Sequence, residues 1–221
     1  MHGNGGCPRG IPFFGKKEGN QMMDYRPWPS RQVQQNRCMN TTPCAVIVPI
    51  IHVNGQERLV FEVRSSTLSW QPGDICFPGG KIEKSDTTAL EAAEREIVEE
   101  LGIEREQIHI LGPLDYVESP VGVTVWPFAA YIDTGHFTIS KGEIDHIFTV
   151  PVEWFRTHTP QVYQVEIATK PASEFPKGLS ISEQTQWKQR TTYNVLMYAY
   201  QNYKIWGITA HILDNFMTIR L

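Results

Sequence analysis

Apolar residues along the chain follow two spacings, and the first is typical of β-strands. Residues 44–52 are a run of β-branched and apolar side chains, which predicts a strand buried on both faces. Pro49 lies inside this run and favours an edge position or a bulge. Asn54-Gly55 is a hairpin turn signal that leads into a second strand at residues 58–64. Further strands are predicted at 74–77, 108–111, 116–118, 123–132, 144–150 and 162–168.

The second spacing is helical, and its clearest example lies between Thr87 and Leu101, where apolar residues recur at the period of a helix. Asp86 or Thr87 is expected to cap the start of this helix, and Gly102 is expected to end it. A short helix is predicted to start at 153–155, and longer helices are predicted at 192–201 and 209–217. Strands that flank isolated helices are typical of an α/β or α+β fold with a mixed sheet.

The beginning of the chain differs in composition from the rest. Glycines recur through residues 1–20, and Pro27 and Pro29 follow, so no periodic pattern develops. We therefore expect residues 1–42 to form a poorly ordered tail, the alternative being an arm that packs on a partner. Residues 43–221 are expected to form one domain with a helical extension at its C-terminal end.

Composition and charge exclude several classes of protein. Lys and Arg together number 20 and Asp and Glu 24, a formal charge of −4 that argues against binding to nucleic acid or anionic lipid. No apolar run reaches the ~18 residues of a membrane span, and residues 1–20 lack the apolar core of a signal peptide. We therefore expect a cytoplasmic protein. The four cysteines form no Cys-x-x-Cys pair, so free thiols are expected rather than a disulfide scaffold or a zinc site.

Three carboxylates are predicted to share one face of the helix that ends at Leu101. Glu96, Glu99 and Glu100 stand at positions i, i+3 and i+4, and such like-charge pairs destabilise an isolated helix by a few tenths of a kcal/mol each. A divalent cation such as Mg²⁺ would offset this repulsion, because it takes oxygen ligands. Arg95 precedes Glu99 by four residues and is positioned to orient it. A solvated acidic face is the alternative interpretation.

The residues before this helix favour the metal site. The segment Phe77-Pro78-Gly79-Gly80 ends a predicted strand and leads into a short acidic loop. Two adjacent glycines allow backbone groups to approach a metal or a phosphate without obstruction by a Cβ atom. A strand, a Gly-Gly pair, a loop and a carboxylate-bearing helix together predict a site for a metal and a diphosphate.

These residues resemble the Nudix hydrolases. The family's box reads Gly, five residues, Glu, seven residues, Arg-Glu, an apolar residue, any residue, Glu-Glu, any residue, Gly and an apolar residue. Gly80 and the segment 95–103 match this box. The spacer is one residue longer here, so either Glu83 or Asp86 takes the position of the first Glu.

The longer spacer is similar to that of the coenzyme A pyrophosphatase branch of the family. The upstream signature of that branch is matched by residues 60–65, by Gly73 and by residues 77–80, at the same spacings. Two positions depart from it, because Glu62 replaces a Thr and Ser69 replaces an Arg. A basic side chain at position 69 would suit the 3′-phosphate of coenzyme A, so its loss keeps other substrates open.

The resemblance implies a Nudix α/β/α sandwich, in which a mixed sheet lies between helices, and attack of water on a diphosphate with Mg²⁺ or Mn²⁺ bound. The metal ligands that it implies are Glu96, Glu99, Glu100 and a backbone carbonyl of the Gly pair, at Gly80 or Gly79. The implied catalytic residues are Arg95, Glu96, Glu99 and Glu143, with Glu96 or Glu143 as the base and Glu118 a weaker candidate ligand. The implied substrate-binding residues are Arg64, Ser65, Gly79 and Gly80.

The leading hypothesis for function is hydrolysis of coenzyme A, or of its derivatives, to 3′,5′-ADP and 4′-phosphopantetheine. One alternative is a Nudix hydrolase of ADP-ribose or another nucleoside diphosphate derivative, and another is a nucleotide-binding module without turnover. The expected partner is a small molecule, with no nucleic acid and no membrane. A homodimer is left open, because dimers are common in the family. Trp70, Tyr116 and Trp126 are candidates for stacking on an adenine ring.

Overall fold

The structure is a computed structural model that describes residues 40–220, and it places a mixed β-sheet at the centre of these residues. The tail predicted at 1–42 lies almost entirely outside them. The strands are β1 (Thr42–Val53), β2 (Gln56–Arg64), β3 (Ile75–Cys76), β4 (Gly79–Lys81), β5 (Ile108–Pro113), β6 (Val117–Ser119), β7 (Val123–Ile132), β8 (Ile144–Pro151), β9 (Gln161–Thr169), β10 (Lys188–Tyr200) and β11 (Tyr203–Trp206). The α-helices are α1 (Ala89–Leu101), α2 (Val152–Thr157) and α3 (Gly207–Arg220), and a 3-10 turn spans Arg105–Gln107.

Eight strands form the main sheet and three form a second one. In the main sheet the order is β3-β2-β1-β7-β5, with β8 paired to β2, β4 to β1 and β6 to β7. Strands β1 and β7 run parallel and the other pairs are antiparallel, so the predicted mixed sheet is confirmed. The second sheet is antiparallel, in the order β11-β10-β9.

Helices pack on both faces of the main sheet. The side chains of its strands alternate between two apolar cores, one on each face. Val60 of β2 belongs to the core that Ile97 and Leu101 of α1 help to form. Its neighbour Phe61 belongs to the other core, together with residues of α2 and α3 such as Phe155. The arrangement is the predicted layered α+β fold.

Helix α1 ends where the sequence predicts and begins two residues later, at Ala89. The left-handed backbone of Gly102, with φ of 61°, lets its N–H donate to the carbonyl of Val98 at 3.0 Å. The N-cap is Thr88, whose hydroxyl accepts a hydrogen bond from the N–H of Glu91 at 3.1 Å. The expectation that Asp86 or Thr87 would cap the helix is therefore wrong.

Pro49 lies in a central strand, so the edge position or bulge predicted for it is wrong. On one side β1 pairs with β7 continuously through Pro49. On the other side β1 pairs with β4 at residues 44–46 and with β2 at residues 50–53. Pro49 falls between these two partners, where the ladder on that side is interrupted. The lack of an N–H is tolerated at this point.

The predicted helix at 192–201 is also wrong, because these residues belong to strand β10. Their β-branched and aromatic side chains fit a pleated strand, and Leu196 and Tyr198 alternate into the core. The C-terminal part of the chain therefore contributes a three-stranded sheet as well as α3, which confirms the helix predicted at 209–217. Within residues 40–220, no helix is long and apolar enough to cross a membrane. Cys44 and Cys76 are free thiols, as expected, and the other two cysteines lie outside the described residues.

Candidate active site

The three glutamates of α1 differ in exposure. The side chain of Glu100 is buried, with 6% of the residue exposed. Glu96 is half-buried, whereas most of the side chain of Glu99 is exposed and lies 3.6 Å from the guanidinium of Arg95. The predicted acidic face is thus a surface that runs from solvent into the protein, with Glu100 at its inner end.

The two glycines of β4 bring backbone against these carboxylates. The N–H of Gly79 donates to Oε2 of Glu100 at 2.8 Å. A Cβ atom on Gly80 would lie 2.4 Å from the Glu96 carboxylate, and one on Gly79, whose φ is 149°, would lie 2.2 Å from the Ala45 carbonyl oxygen. Position 79 therefore requires glycine, whereas a Cβ at position 80 would displace the end of the Glu96 side chain.

Arg95 ties the loop to the helix, and its contacts favour Asp86 as the equivalent of the first Glu of the box. Its guanidinium donates two hydrogen bonds to Asp86, at 3.0 and 3.1 Å, and one to Glu96 at 2.9 Å. Glu83 is exposed and meets Asp86 through its backbone: its N–H donates to the Asp86 carboxylate at 2.8 Å, and its carbonyl accepts the N–H of Asp86 at 3.2 Å. Hydrogen bonding to Arg95 holds the pKa of the Asp86 carboxyl below its usual range.

Burial and mutual repulsion raise the pKa of the inner carboxyls. Burial raises the pKa of Glu100 to about 8, opposed by the hydrogen bond from Gly79 and supported by the charges of Glu96 and Glu143. Burial also raises the pKa of Glu96, although the hydrogen bond from Arg95 limits the change. Such a concentration of negative charge in a poorly hydrated place favours a cation.

A fourth carboxyl group, that of Glu62, belongs to this cluster, although in the sequence Glu62 is only a departure from the resembled signature. Glu62 on β2 is 1% exposed, and its pKa is well above the usual range because of burial and then of the charge of Glu100. The signal available in the sequence was an acidic residue in the middle of an apolar strand. Such a residue is almost never fully buried unless it is paired.

Arg64 and the loop that follows it connect this cluster to Glu143. The Nε of Arg64 donates to the carbonyl of Trp70 at 3.4 Å. The N–H of Ser65 donates to the carbonyl of Glu143 at 2.8 Å. Glu143 is exposed, and it lies near enough to Glu96 and Glu100 for its charge to raise the pKa of both. The hydroxyl of Ser65 is buried and pairs with Thr67 at 2.8 Å, within its own loop.

Two cavities adjoin each other at Arg64. One, of about 640 Å³, is lined by residues that include Gly79, Gly80 and Lys81, and Trp70 and Ser69 stand at it. The other, of about 600 Å³, lies between the segment 115–121, which contains β6, and the second sheet. The two share the residues Arg64, Gln71, Cys76, Ile208 and Thr209.

The three aromatic candidates for adenine stacking occupy different places. Trp70 lines the larger cavity and Tyr116 the smaller one, and both are exposed. Trp126 stacks on Tyr116 with ring centroids 6.2 Å apart. Glu118, the weaker candidate ligand, lines the smaller cavity.

The oxygen atoms of this site suit a hard divalent cation, although they do not all converge on one point. Within residues 40–220, no three His, Cys, Asp or Glu side chains are arranged as a finished metal-binding group. Two observations nevertheless fit such an ion. Oε1 of Glu62 is buried and has no hydrogen-bond partner among the described residues, and the oxygens of Glu96 and Glu100 lie against the unobstructed backbone at Gly79 and Gly80. An all-oxygen set of this kind is what Mg²⁺ and Mn²⁺ prefer.

Comparison with known proteins identifies the family. Residues 42–169 match the family model of the NUDIX domain. Because this match covers more than half of the chain, the chain belongs to the Nudix family, and the resemblance stated from the motifs is confirmed. The match includes Arg64, the two glycines, the carboxylates of α1 and Glu143.

Several relatives match beyond this domain. The chain is 29% identical over 189 residues to an uncharacterized Nudix hydrolase, NudL, of Klebsiella pneumoniae, with 85% of each chain covered. It is 31% identical over 138 residues to the mouse peroxisomal coenzyme A diphosphatase NUDT7, covering 62% of this chain and 58% of that one. It is 29% identical over 174 residues to the human mitochondrial coenzyme A diphosphatase NUDT8, covering 77% of this chain and 66% of that one.

Proposed function

We propose that this Nudix hydrolase is a metal-dependent diphosphatase that cleaves coenzyme A or its derivatives to 3′,5′-ADP and 4′-phosphopantetheine. The observation that carries the metal-dependent chemistry is the contact of Gly79 with the buried Glu100, beside the close approach of Gly80 to Glu96. The choice of coenzyme A is supported by the signature at residues 60–80 and by the mouse and human relatives that are named coenzyme A diphosphatases.

In this proposal Glu96, Glu99, Glu100 and the carbonyl of Gly80 hold Mg²⁺ or Mn²⁺. The ion, when bound, neutralises non-bridging oxygens of the diphosphate and promotes ionisation of water. Arg95 keeps the carboxylate of Glu96 in place through its contacts with Asp86 and Glu96. Its 3.6 Å approach to Glu99 limits the freedom of that exposed side chain.

The chemical step is attack of a water oxygen on one phosphorus of the diphosphate, with cleavage of the bond from that phosphorus to the bridging oxygen. Glu96 or Glu143 takes the proton of the attacking water. Arg64 donates charge-assisted hydrogen bonds to a phosphate oxygen and stabilises the charge that develops there. Its place at the junction of the two cavities supports this role.

The two cavities suit a substrate with two unlike halves on either side of a diphosphate. The larger one offers Lys81 and the exposed ring of Trp70 to a nucleotide. The smaller one is lined by side chains such as Tyr116, Val195 and Trp206, which suit the less polar pantetheine half. With the diphosphate at Arg64, each half has its own cavity.

ADP-ribose is the second candidate substrate, and one observation favours it. Ser69 lines the larger cavity at the position where the coenzyme A signature has an Arg. A serine lacks the charge that would select a 3′-phosphate. A nucleotide-binding module without turnover is the third candidate, and turnover itself distinguishes it.

A product assay tests these alternatives. Coenzyme A, ADP-ribose and NADH are incubated in parallel with the protein and Mg²⁺ or Mn²⁺, and the products are separated by chromatography. We expect release of 3′,5′-ADP from coenzyme A with the highest kcat/KM. A higher kcat/KM for ADP-ribose would replace the substrate and keep the chemistry, and no turnover of any of the three would contradict the proposal.

The variant Glu100→Gln tests the metal assignment in the same assay. We expect it to reduce turnover at least ~100-fold while the protein remains folded, since it removes one charge from the ligand set. Glu153→Gln is the matched control, because Glu153 is an exposed residue of α2 that pairs with Arg156 on the same helix. Near-normal rates of Glu100→Gln would show that the metal is held elsewhere.

A further inference from the structure

Glu62 is the buried carboxyl group that the proposed mechanism does not use. It is 1% exposed, and Oε1 has no hydrogen-bond partner among the described residues. Its other oxygen, Oε2, has the Sγ of Cys76 at 4.0 Å, which is at most a weak contact from a poor donor. An unpaired carboxyl oxygen in the interior costs free energy, and a ligand that pairs with this oxygen would remove the cost.

The side chain of Glu62 points to the carboxylates of α1. Successive side chains of a strand face opposite sides of the sheet. Val60, two residues earlier on β2, packs in the core beneath α1, whereas Phe61 packs in the opposite core. Glu62 is therefore on the α1 side, and the charge that acts on it most strongly is that of Glu100, followed by Arg64, Glu143 and Glu96.

Carboxyl groups outnumber cations in this cluster, as the described residues form it. Glu62, Glu96, Glu100 and Glu143 act on one another, and Arg64 acts on both Glu62 and Glu100. Arg95 pairs with Asp86 and with Glu96, on the loop side of the helix. A divalent ion would supply the missing charge and at the same time give Oε1 of Glu62 a partner.

We propose that Glu62 is an additional carboxylate for the divalent cation held by Glu96 and Glu100, and that it increases the affinity of the site for that ion. This inference rests on the proposed function, because it takes the cation site to lie at those two glutamates. Glu62 is outside the Nudix box and stands where the resembled signature has a Thr, so this carboxylate is a feature of this chain rather than of the box.

The test is binding of Mn²⁺ alone to the full chain. The protein is treated with EDTA, dialysed and titrated with Mn²⁺ in a calorimeter, without any nucleotide. Glu62→Gln keeps the size of the side chain and removes its charge, and we expect it to weaken Mn²⁺ binding roughly 10–100-fold. Glu62→Thr, which introduces the residue of the resembled signature, is expected to weaken binding in the same direction. It serves as the second variant should the first fail to fold.

Two further variants separate this inference from the proposed function. Glu153→Gln removes an exposed charge on α2 and is expected to bind Mn²⁺ like the unmodified protein. Glu100→Gln is expected to weaken Mn²⁺ binding strongly. If Glu100→Gln weakens binding while both Glu62 variants bind like the unmodified protein, Glu62 is not a ligand and only this inference fails. If Glu100→Gln also binds normally, the cation lies elsewhere and both proposals fail.

Discussion

Gly80 is the residue at which the backbone comes closest to a carboxylate of the site. The nearest atoms that a Cβ at this position would meet belong to the Glu96 carboxylate, at 2.4 Å. Neither the backbone conformation nor a turn requires glycine here, since φ of Gly80 is not positive. A glycine at position 80 instead leaves room for the Glu96 carboxylate, which lies opposite it.

We therefore expect Gly80→Ala to affect turnover more than stability. The added methyl group displaces the Glu96 carboxylate, and a displacement of about 1 Å at a catalytic group can reduce kcat roughly 100-fold. The measurement is kcat with saturating metal, together with the thermal midpoint. Gly135→Ala is the control, because a Cβ there meets nothing within 4 Å. Equal activity of the two variants would mean that the position of Glu96 is unimportant.

The pKa of Glu100 leads to a pH dependence of stability in the metal-free protein. Burial raises this pKa from 4.5 to about 8, so between these values the folded protein retains a proton that the unfolded chain has released. The resulting stability is fully present below the lower value and is lost as the pH rises through about 8. Glu62 acts in the same direction, because its pKa is raised as well.

Urea unfolding of EDTA-treated protein measures this effect. We expect the free energy of unfolding to decrease between about pH 6 and pH 9, by no more than ~1.4 kcal/mol per pH unit for each group. Glu100→Gln should show a smaller slope, because one of the two groups is removed. A free energy that is constant or rises over this interval would show that Glu100 is ionised in the folded, metal-free state.

At the scale of elements, α1 carries most of the site, so its first turn matters to both stability and position. The hydroxyl of Thr88 accepts the N–H of Glu91, whereas Thr87 contributes its backbone N–H to the carboxylate of Glu91 at 2.8 Å. Both threonines are exposed, and in these two hydrogen bonds Thr88 uses its side chain whereas Thr87 uses its backbone. This makes them a matched pair.

Thr88→Ala is expected to destabilise the protein by about 1 kcal/mol, the usual value of an N-cap hydroxyl. Thr87→Ala leaves its backbone N–H in place and is expected to have little effect on stability. Chemical denaturation of both variants at one pH measures the difference. If the two variants lose equal stability, Thr88 is not the cap.

The strand β10 shows how neighbouring elements override local pattern. Residues 192–201 carry apolar side chains at spacings compatible with a helix, and for this reason the sequence predicts a helix there. In the fold, residues 192–197 pair with residues 161–166 of β9, and residues 197–200 pair with residues 203–206 of β11. Strand pairing satisfies their backbone groups in a way that no local spacing records.

At the scale of the whole molecule, hydrogen bonds join the C-terminal end of α3 to the main sheet, near the β1–β2 hairpin. Arg220 donates to the carboxylate of Glu57 and to the hydroxyl of Tyr131 at 3.0 Å, and Tyr131 in turn donates to Glu57. These partners lie on β2 and β7, far from Arg220 in sequence. The cluster therefore fastens the C-terminal helix to the main sheet.

Arg220→Ala is expected to destabilise the protein by about 1 kcal/mol, a charged hydrogen bond reduced for its partial exposure. Arg156→Ala is the control, because its pair with Glu153 joins two exposed side chains within one short helix and contributes little. Denaturant midpoints of both variants give the comparison. An Arg220 variant as stable as the control would mean that the end of α3 does not contribute to cooperative unfolding.

Features that depend on short spacing follow from the amino-acid sequence alone. The helix α1, its end at Gly102, the hairpin at Asn54 and the Gly-Gly pair before the carboxylates all follow from residues within a few positions of one another. The Nudix family follows from the same segment, because the box encodes a local chemical arrangement. These features could be predicted since the physics that produces them, namely helical period, turn conformation and the absence of a Cβ, acts within the segment.

Which distant groups meet depends on the tertiary structure. It selects Asp86 over Glu83 as the partner of Arg95, brings Glu143 to the α1 carboxylates, and buries Glu62 beside Glu100. It also assigns residues 188–200 to a strand and forms the two cavities that adjoin at Arg64. Each of these depends on strand pairing and on burial between segments far apart in the chain, and neither can be inferred from the identity of the neighbouring residues.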